Sequence, residues 1–297
     1  MPVYTYTTID DPLATQGPNQ GTAAQDIDGT GQIIGWYRDA SGYHGFLLSG
    51  GNYTTFDDPS AANFTTPRGI NNMGQIVGSY EDSGGFIHGF LLSNGLYATL
   101  DDHDPLATGQ TFASDINDMG QIVGNYRTAT GFRGFLLSGG FYLNLDDPSA
   151  GPLGTIATGI NNAGQIVGRY TDNSGAIHGF LYNPNSGAPY TTLDDPLAAH
   201  GTIATAINNA GQIVGQYTDS HSLVHGFLYT GGTYITIDDP LNGGYSVPVG
   251  INDAGQIVGA YQQTGPYHGF LLTITPNPPP PRRHYGRHDP APRRRHL

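Results

Sequence analysis

Cysteine is absent from the 297 residues, which excludes disulfides and thiolate chemistry. Lysine is absent too, and all 11 basic residues are arginine. Only 12% of residues are charged, and there is a single tryptophan, Trp36. No apolar run approaches the roughly 18 residues that span a bilayer, so no transmembrane segment is expected. The first residues, Met-Pro-Val-Tyr-Thr-Tyr, have neither the basic start nor the apolar core of a secretory signal. No stretch holds an apolar face at helical spacing over three turns, which leaves essentially no helix. Gly-x-Ser-x-Gly, His-Glu-x-x-His and the P-loop are all missing.

What charge there is divides unevenly. Six arginines (Arg282, Arg283, Arg287, Arg293, Arg294 and Arg295) lie after Thr275, with Asp289 the one acid there. The preceding body carries 23 acids against five arginines, a net −18. Such a body repels nucleic-acid phosphates and favours cations or basic partners. The segment 276–297, with Pro278–Pro281 and its arginines and histidines, has too few apolar residues to bury a core. It reads as a disordered tail, or as an electrostatic tether to an anionic surface polymer or to the acidic body of a neighbouring molecule.

What is abundant is glycine, 45 residues, together with tyrosine and β-branched residues. One stretch, Gly159–Gly168 (Gly-Ile-Asn-Asn-Ala-Gly-Gln-Ile-Val-Gly), recurs six times. Its glutamine falls at Gln32, Gln75, Gln121, Gln165, Gln212 and Gln256, spaced by 43, 46, 44, 47 and 44 residues. Each repeat contains four strand-like runs. In the fifth these are Thr202–Ile207, Gln212–Tyr217, Val224–Tyr229 and Thr233–Asp238, separated by Asn/Gly turns and ended by a proline.

Four antiparallel strands in about 45 residues are the signature of a β-propeller blade. The Thr/Ala/Gly-rich run belongs innermost, and the Tyr-Thr-Thr-Ile-Asp-Asp-Pro run outermost. The chain opens with a lone outer strand, Tyr6–Pro12, and the sixth repeat lacks one after Leu272. The expectation is therefore an all-β, six-bladed propeller of four-stranded antiparallel blades over 1–275, closed by the N-terminal strand. An open solenoid would not require these complementary ends.

The alternation of Ile-Asn-Asn-x-Gly-Gln-Ile-Val-Gly-x-Tyr with His-Gly-Phe-Leu resembles the bacterial HAF repeat, from Tyr4 to Thr275. Glycine stands in the alanine position after His44, His88, His178, His225 and His268, and Arg133 replaces the histidine of the third unit. The resemblance implies export to the cell surface or medium. It carries over no catalytic residue.

The strongest chemical signal is the aspartate pair that ends each repeat: Asp10/Asp11, Asp57/Asp58, Asp101/Asp102, Asp146/Asp147, Asp194/Asp195 and Asp238/Asp239. All six should share one face with the acids of the loop between second and third strands, Asp39, Glu81, Asp82, Asp172 and Asp219. Carboxylates suit Ca²⁺, so the pairs are candidate metal ligands and Asp39, Asp82, Asp172 and Asp219 candidate ligand contacts. Turn chemistry, with each aspartate accepting backbone N–H bonds, competes with that reading. The histidines read as packing and hydrogen-bond elements. The tyrosines Tyr37, Tyr80, Tyr126, Tyr170, Tyr217 and Tyr261 read as blade packing or as stacking platforms for sugars. The glycines of Gly-Gln-Ile-Val-Gly read as spacers between blades.

Departures from the repeat are His103/Asp104, Arg133, His200 and His221, which form no set by spacing. Near-identical blades favour a non-catalytic module for multivalent binding or assembly, with cations, glycans or proteins on the acidic face. The alternative is a lactonase-like hydrolase with one divalent cation on the axis, against which the small inner strands argue.

Overall fold

The computed structural model describes residues 2–275, apart from 19, 102, 103, 105, 239–244, 263 and 264. The arginine-rich tail 276–297, with its expected role in self-association, lies outside the described residues, as do Asp102, His103 and Asp239.

Among the described residues all regular structure is β, in 24 strands. Sheet 5 shows the plan. Thr202–Ile207, Ile213–Thr218, Val224–Thr230 and Thr233–Thr236 pair antiparallel in sequence order. The fourth strand is thus two residues shorter than its sequence suggested, ending before Ile237 and Asp238. Sheets 2, 3 and 4, whose first strands are Thr65–Ile70, Thr111–Ile116 and Thr155–Ile160, repeat the arrangement. In the sixth repeat, Tyr245–Ile251, Ile257–Gln262 and Tyr267–Thr275 are completed by Val3–Ile9, which runs antiparallel to Tyr267–Thr275. Sheet 1 (Gly21–Ile27, Ile33–Arg38, Tyr43–Ser49 and Asn52–Phe56) follows it through one parallel pair, Gly21–Tyr267, so the two form a continuous eight-stranded sheet.

The period-2 pattern of each strand places its apolar side chains between neighbouring sheets. The phenylalanine of each His/Arg-Gly-Phe (Phe46, Phe90, Phe135, Phe180, Phe227, Phe270) is at most 1% exposed. Six core clusters result, each spanning two neighbouring repeats. One joins Val214 and Leu228 of sheet 5 to Ile257 and Phe270 of sheet 6, and another joins Val258 of sheet 6 to Phe46 of sheet 1.

The Asn-Asn turns add a polar chain of links. Asn71 Nδ2 donates to Asn117 O, Asn117 to Asn161 O, Asn161 to Asn208 O, Asn208 to Asn252 O and Asn252 to Asp28 O, at 3.0–3.2 Å. Gly29 N donates to Asn72 Oδ1 at 2.7 Å, joining the first repeat to the second. Each of these five buried asparagine amides therefore has a neighbour's carbonyl as acceptor, which removes the penalty of burying it unpaired.

The spacer glycines act within a sheet, not between sheets. A β-bulge in each first strand, such as that between Ala204 and Ala206, pushes a carbonyl toward the second strand. A Cβ on Gly215 would lie 2.1 Å from Ile203 O and 2.7 Å from the Phe227 ring. Only hydrogen fits there.

Candidate functional site

Each sheet carries the same rim motif on one face. The tyrosine next to the end of the second strand pairs across to the histidine of the third: Tyr37–His44, Tyr80–His88, Tyr170–His178, Tyr217–His225 and Tyr261–His268. Their rings stack with centroids 5.1–5.2 Å apart. The first aspartate of each pair then meets the histidine Nδ1: Asp57–His44 at 2.8 Å, Asp101–His88 at 2.9 Å, Asp194–His178 at 2.9 Å, Asp238–His225 at 2.7 Å and Asp10–His268 at 2.9 Å. In sheet 3, Arg133 lies 3.7 Å from Asp146. An arginine keeps the donor role in place of a histidine.

The loop acids close the motif from the other side. Asp39, Asp82, Asp172 and Asp219 approach the histidine Nε2 at 3.2, 3.3, 3.6 and 3.5 Å. Each also holds its own turn. Asp39 Oδ1 accepts Ser41 N and Oγ at 2.7 and 2.6 Å, and Asp219 Oδ1 accepts His221 N and Leu223 N at 2.8 and 2.9 Å. The Ser41 bonds hold the Asp39 carboxyl at about 2, and the Leu223 and His221 amides hold Asp219 at about 2. Partial burial disfavours the charged imidazoles of His44, His88 and His225, but the flanking carboxylates outweigh it and raise their pKa values. Glu81 lies apart from this set and accepts Asn63 Nδ2 at 2.6 Å.

The two carboxylates of a pair thus diverge. Asp11, Asp58, Asp147 and Asp195 are 2–5% exposed and accept the amide two residues on, Leu13, Ser60, Ser149 and Leu197. The backbone amide of each donates to a threonine of the next first strand, as Asp195 N does to Thr202 Oγ1 at 2.9 Å. Among the described residues, no group of three or more His, Asp or Glu side chains is placed to share a metal ion. The rim tyrosines pack as expected, with Tyr217 4% exposed and its hydroxyl 3.1 Å from Thr236 Oγ1.

The departures fall in different places. Asp104 accepts Tyr126 Oη and Asn144 Nδ2 at 3.0 and 3.2 Å, near Arg133. His221 sits on the Asp219 turn. His200 lines a cleft of about 500 Å³ between sheets 4 and 5, with Ile177, His178, Asp194 and Ala198.

A set of residues not singled out from the sequence lies where the six first strands meet. At that level Asp26 and Asp115 occupy a position held by Gly69, Gly159, Ala206 and Gly250 in the other repeats. Asp26 Oδ2 accepts Ile70 N at 2.9 Å, and Asp115 Oδ2 accepts Ile160 N at 2.8 Å, so each carboxylate reaches the next sheet. Burial pushes Asp115 up to about 7, against the pull of its two amide donors. Burial and the nearby Asp115 raise Asp26 in the same direction. The signal was available as a column that differs between otherwise matching repeats.

No family model matches the chain, and no curated protein matches it in sequence. Among solved structures, a lectin of Aleuria aurantia in complex with Fucα1-6GlcNAc is 13% identical, covers 91% of this chain and 98% of its own, and superposes with a TM-score of 0.52. The same lectin is described as a six-bladed β-propeller. AofleA of Arthrobotrys oligospora is also 13% identical, with 91% and 93% coverage and a TM-score of 0.52. A gluconolactonase of Xanthomonas campestris is 12% identical, with 86% and 87% coverage and a TM-score of 0.50. At these identities the likeness establishes a β-propeller fold.

Proposed function

We propose that the chain is a six-bladed propeller of HAF-type repeats, completed by its N-terminal strand, that acts outside the cell as a glycan-binding module. The Val3–Ile9 pairing with Tyr267–Thr275 and the Asn252–Asp28 bond support the six-bladed reading. Export rests on the repeat resemblance and accords with the glycan reading. Among the described residues no helix is long and apolar enough to cross a membrane.

The observation that carries the binding reading is the cleft between sheets 4 and 5. Asp194 is 48% exposed there, beside His178 and His200 and an apolar wall of Ile177 and Ala198. An ionised carboxylate accepts two sugar hydroxyls, the imidazoles donate or accept, and the aliphatic wall covers a pyranose face. The Aleuria aurantia lectin, which shares the fold, is described in complex with fucose-containing ligands, which makes fucosides the first sugars to try. The rim motif recurs, so weak single sites would add through multivalency.

The lactonase-like alternative needs several ligands converging on the axis. The axial carboxylates Asp26 and Asp115 are instead spent on backbone amides, which favours binding over hydrolysis. Calcium, if it assists, falls to the first aspartate of each pair, because the described second members are buried in turns.

A glycan array followed by calorimetry tests the proposal. Binding should be saturable, and Asp194→Ala should lower the number of sites without altering the fold. An array without a hit, or unchanged stoichiometry in that variant, would remove the reading.

A further inference from the structure

Three of the five arginines in this acidic body, Arg68, Arg127 and Arg169, point into the interior space along the axis or its mouth. A cavity of about 540 Å³ is lined by one bulge residue from each of the six first strands, including Gln25, Arg68 and Val249. Arg169 and Gln216 project into it from second strands. A neighbouring cavity of about 340 Å³ shares Phe132, Ile156 and Arg169 with it and opens beside the loop at Arg127–Gly131. Arg127 sits over the Phe132 ring, 5.6 Å from its centroid, at this mouth.

The axial arginines are under-used. Arg68 donates to Gln25 Oε1 at 3.3 Å, and among the described residues Arg169 has no acceptor and neither pairs with a carboxylate. Arg68 is solvent-exposed and Arg169 half-buried, and the surrounding protein lowers the pKa of both guanidiniums by desolvation. Two guanidiniums that line one cavity without a carboxylate partner give it a local positive potential, which favours an anion. The Oε1 of Gln216 is buried with no hydrogen-bond partner. It needs a donor, which a hydroxylated ligand supplies and a sulfate dianion lacks.

We propose that the axial cavity is a binding site for a small hydroxylated carboxylate, a sugar acid in chemical class. Arg68 and Arg169 hold the carboxylate, and Gln216 Oε1 accepts one of the hydroxyls. The guanidinium fork matches a carboxylate in plane and spacing. Phe112, Ile156, Ile203 and Val249 provide apolar wall for the carbon skeleton, and the volume lies within the usual range for small-molecule sites. The ligand enters past Arg127 between sheets 3 and 4, drawn by local positive potential in a body of net −18. This site is single, because the residues that form it differ from repeat to repeat. It is independent of the rim clefts.

The test uses the full chain, calorimetry and thermal melts, with D-glucuronate, D-glucose, methyl D-glucuronate ester and inorganic phosphate as probes. Glucuronate should bind at one site per chain and raise the melting temperature. Glucose, the ester and phosphate should not. Arg68→Gln and Arg169→Gln should each weaken glucuronate binding about 10- to 100-fold, the effect of losing a charge-assisted bond. Asp194→Ala should leave glucuronate binding unchanged, which separates this site from the rim cleft. The proposal is overturned if glucuronate fails to bind, if glucose, ester or phosphate binds equally well, or if both arginine variants keep wild-type affinity. The ester and glucose comparisons need no variant, so a variant that does not fold leaves the outcome decidable.

Discussion

The axial carboxylates should make this protein lose stability as pH rises from about 4.5 to 6. Asp115 has a folded pKa near 7, against 3.8 for the free side chain. Within that window the folded state keeps the proton and the unfolded chain has lost it, so stability falls with pH. One such group costs ~1.36 kcal/mol per pH unit, or ~2 kcal/mol across the window. Asp26 shifts in the same direction. Asp39 and Asp219, held at about 2, are ionised throughout and add no slope. The raised histidines His44, His88 and His225 titrate above it, and their contribution fades as pH climbs through their folded pKa values. For a domain of this size ~2 kcal/mol corresponds to about 3–4 °C in Tm. Melts at pH 4.5, 5.25 and 6 read the slope directly. Asp115→Gly, which installs the residue used at Gly69, Gly159 and Gly250, should reduce the slope by ~1.36 kcal/mol per pH unit. A wild-type Tm that is flat or rising over the window, or an unchanged slope in the Asp26→Gly/Asp115→Gly double variant, would refute the reasoning.

Gly215→Ala should destabilise by at least ~3 kcal/mol in urea titrations, because its Cβ would overlap Ile203 O, whereas Gly187→Ala, with nothing within 4 Å, should change stability by less than ~0.5 kcal/mol. Asn208→Ala removes donors to Asn252 O and Gln212 Oε1 and the acceptor of two backbone amides, and should cost about 2–4 kcal/mol in the same assay. Deleting residues 2–9 uncovers the edge of Tyr267–Thr275 and removes the Tyr6 Oη bond to Ile237 O, so sedimentation should show aggregation at concentrations where the full chain is monodisperse. Millimolar calcium should raise Tm by less than about 1 °C, since no three described His, Asp or Glu side chains share a metal-sized site.

The fold was legible because its information is periodic. The Asn-Asn turns, the alternating strands and the lone strand at Tyr6–Pro12 all point to the same arrangement. The spacing of the aspartate pairs gave their shared face, but not that Asp195 turns inward while Asp194 meets His178. That division depends on the twist of the strand end and on where Thr202 of the next sheet lies. The axial site was hidden for a different reason. Reading a repeat draws attention to what recurs, whereas Arg68, Asp115, Arg169 and Gln216 sit in the columns that change. The expectation of small inner strands holds for Ala157 and Ala204, which are buried between sheets. It fails at the bulge, where the extra residue of each first strand turns toward the axis. Bulges leave no mark in apolar alternation alone.

The pairing of Val3–Ile9 with Tyr267–Thr275 also sets an order of events. Thr275 bonds to Val3 O across 272 positions of sequence. At about 5–20 residues per second, the first strand waits roughly 15–50 s for its partner to be synthesised. Sheets 1 to 5 can each assemble from local hairpins in that interval, and sheet 6 cannot. Completion of the molecule is therefore a single late step, and until then the nascent chain carries two unmatched strand edges. Whatever binds such edges during synthesis, a chaperone or another nascent copy, competes with the protein's own first strand.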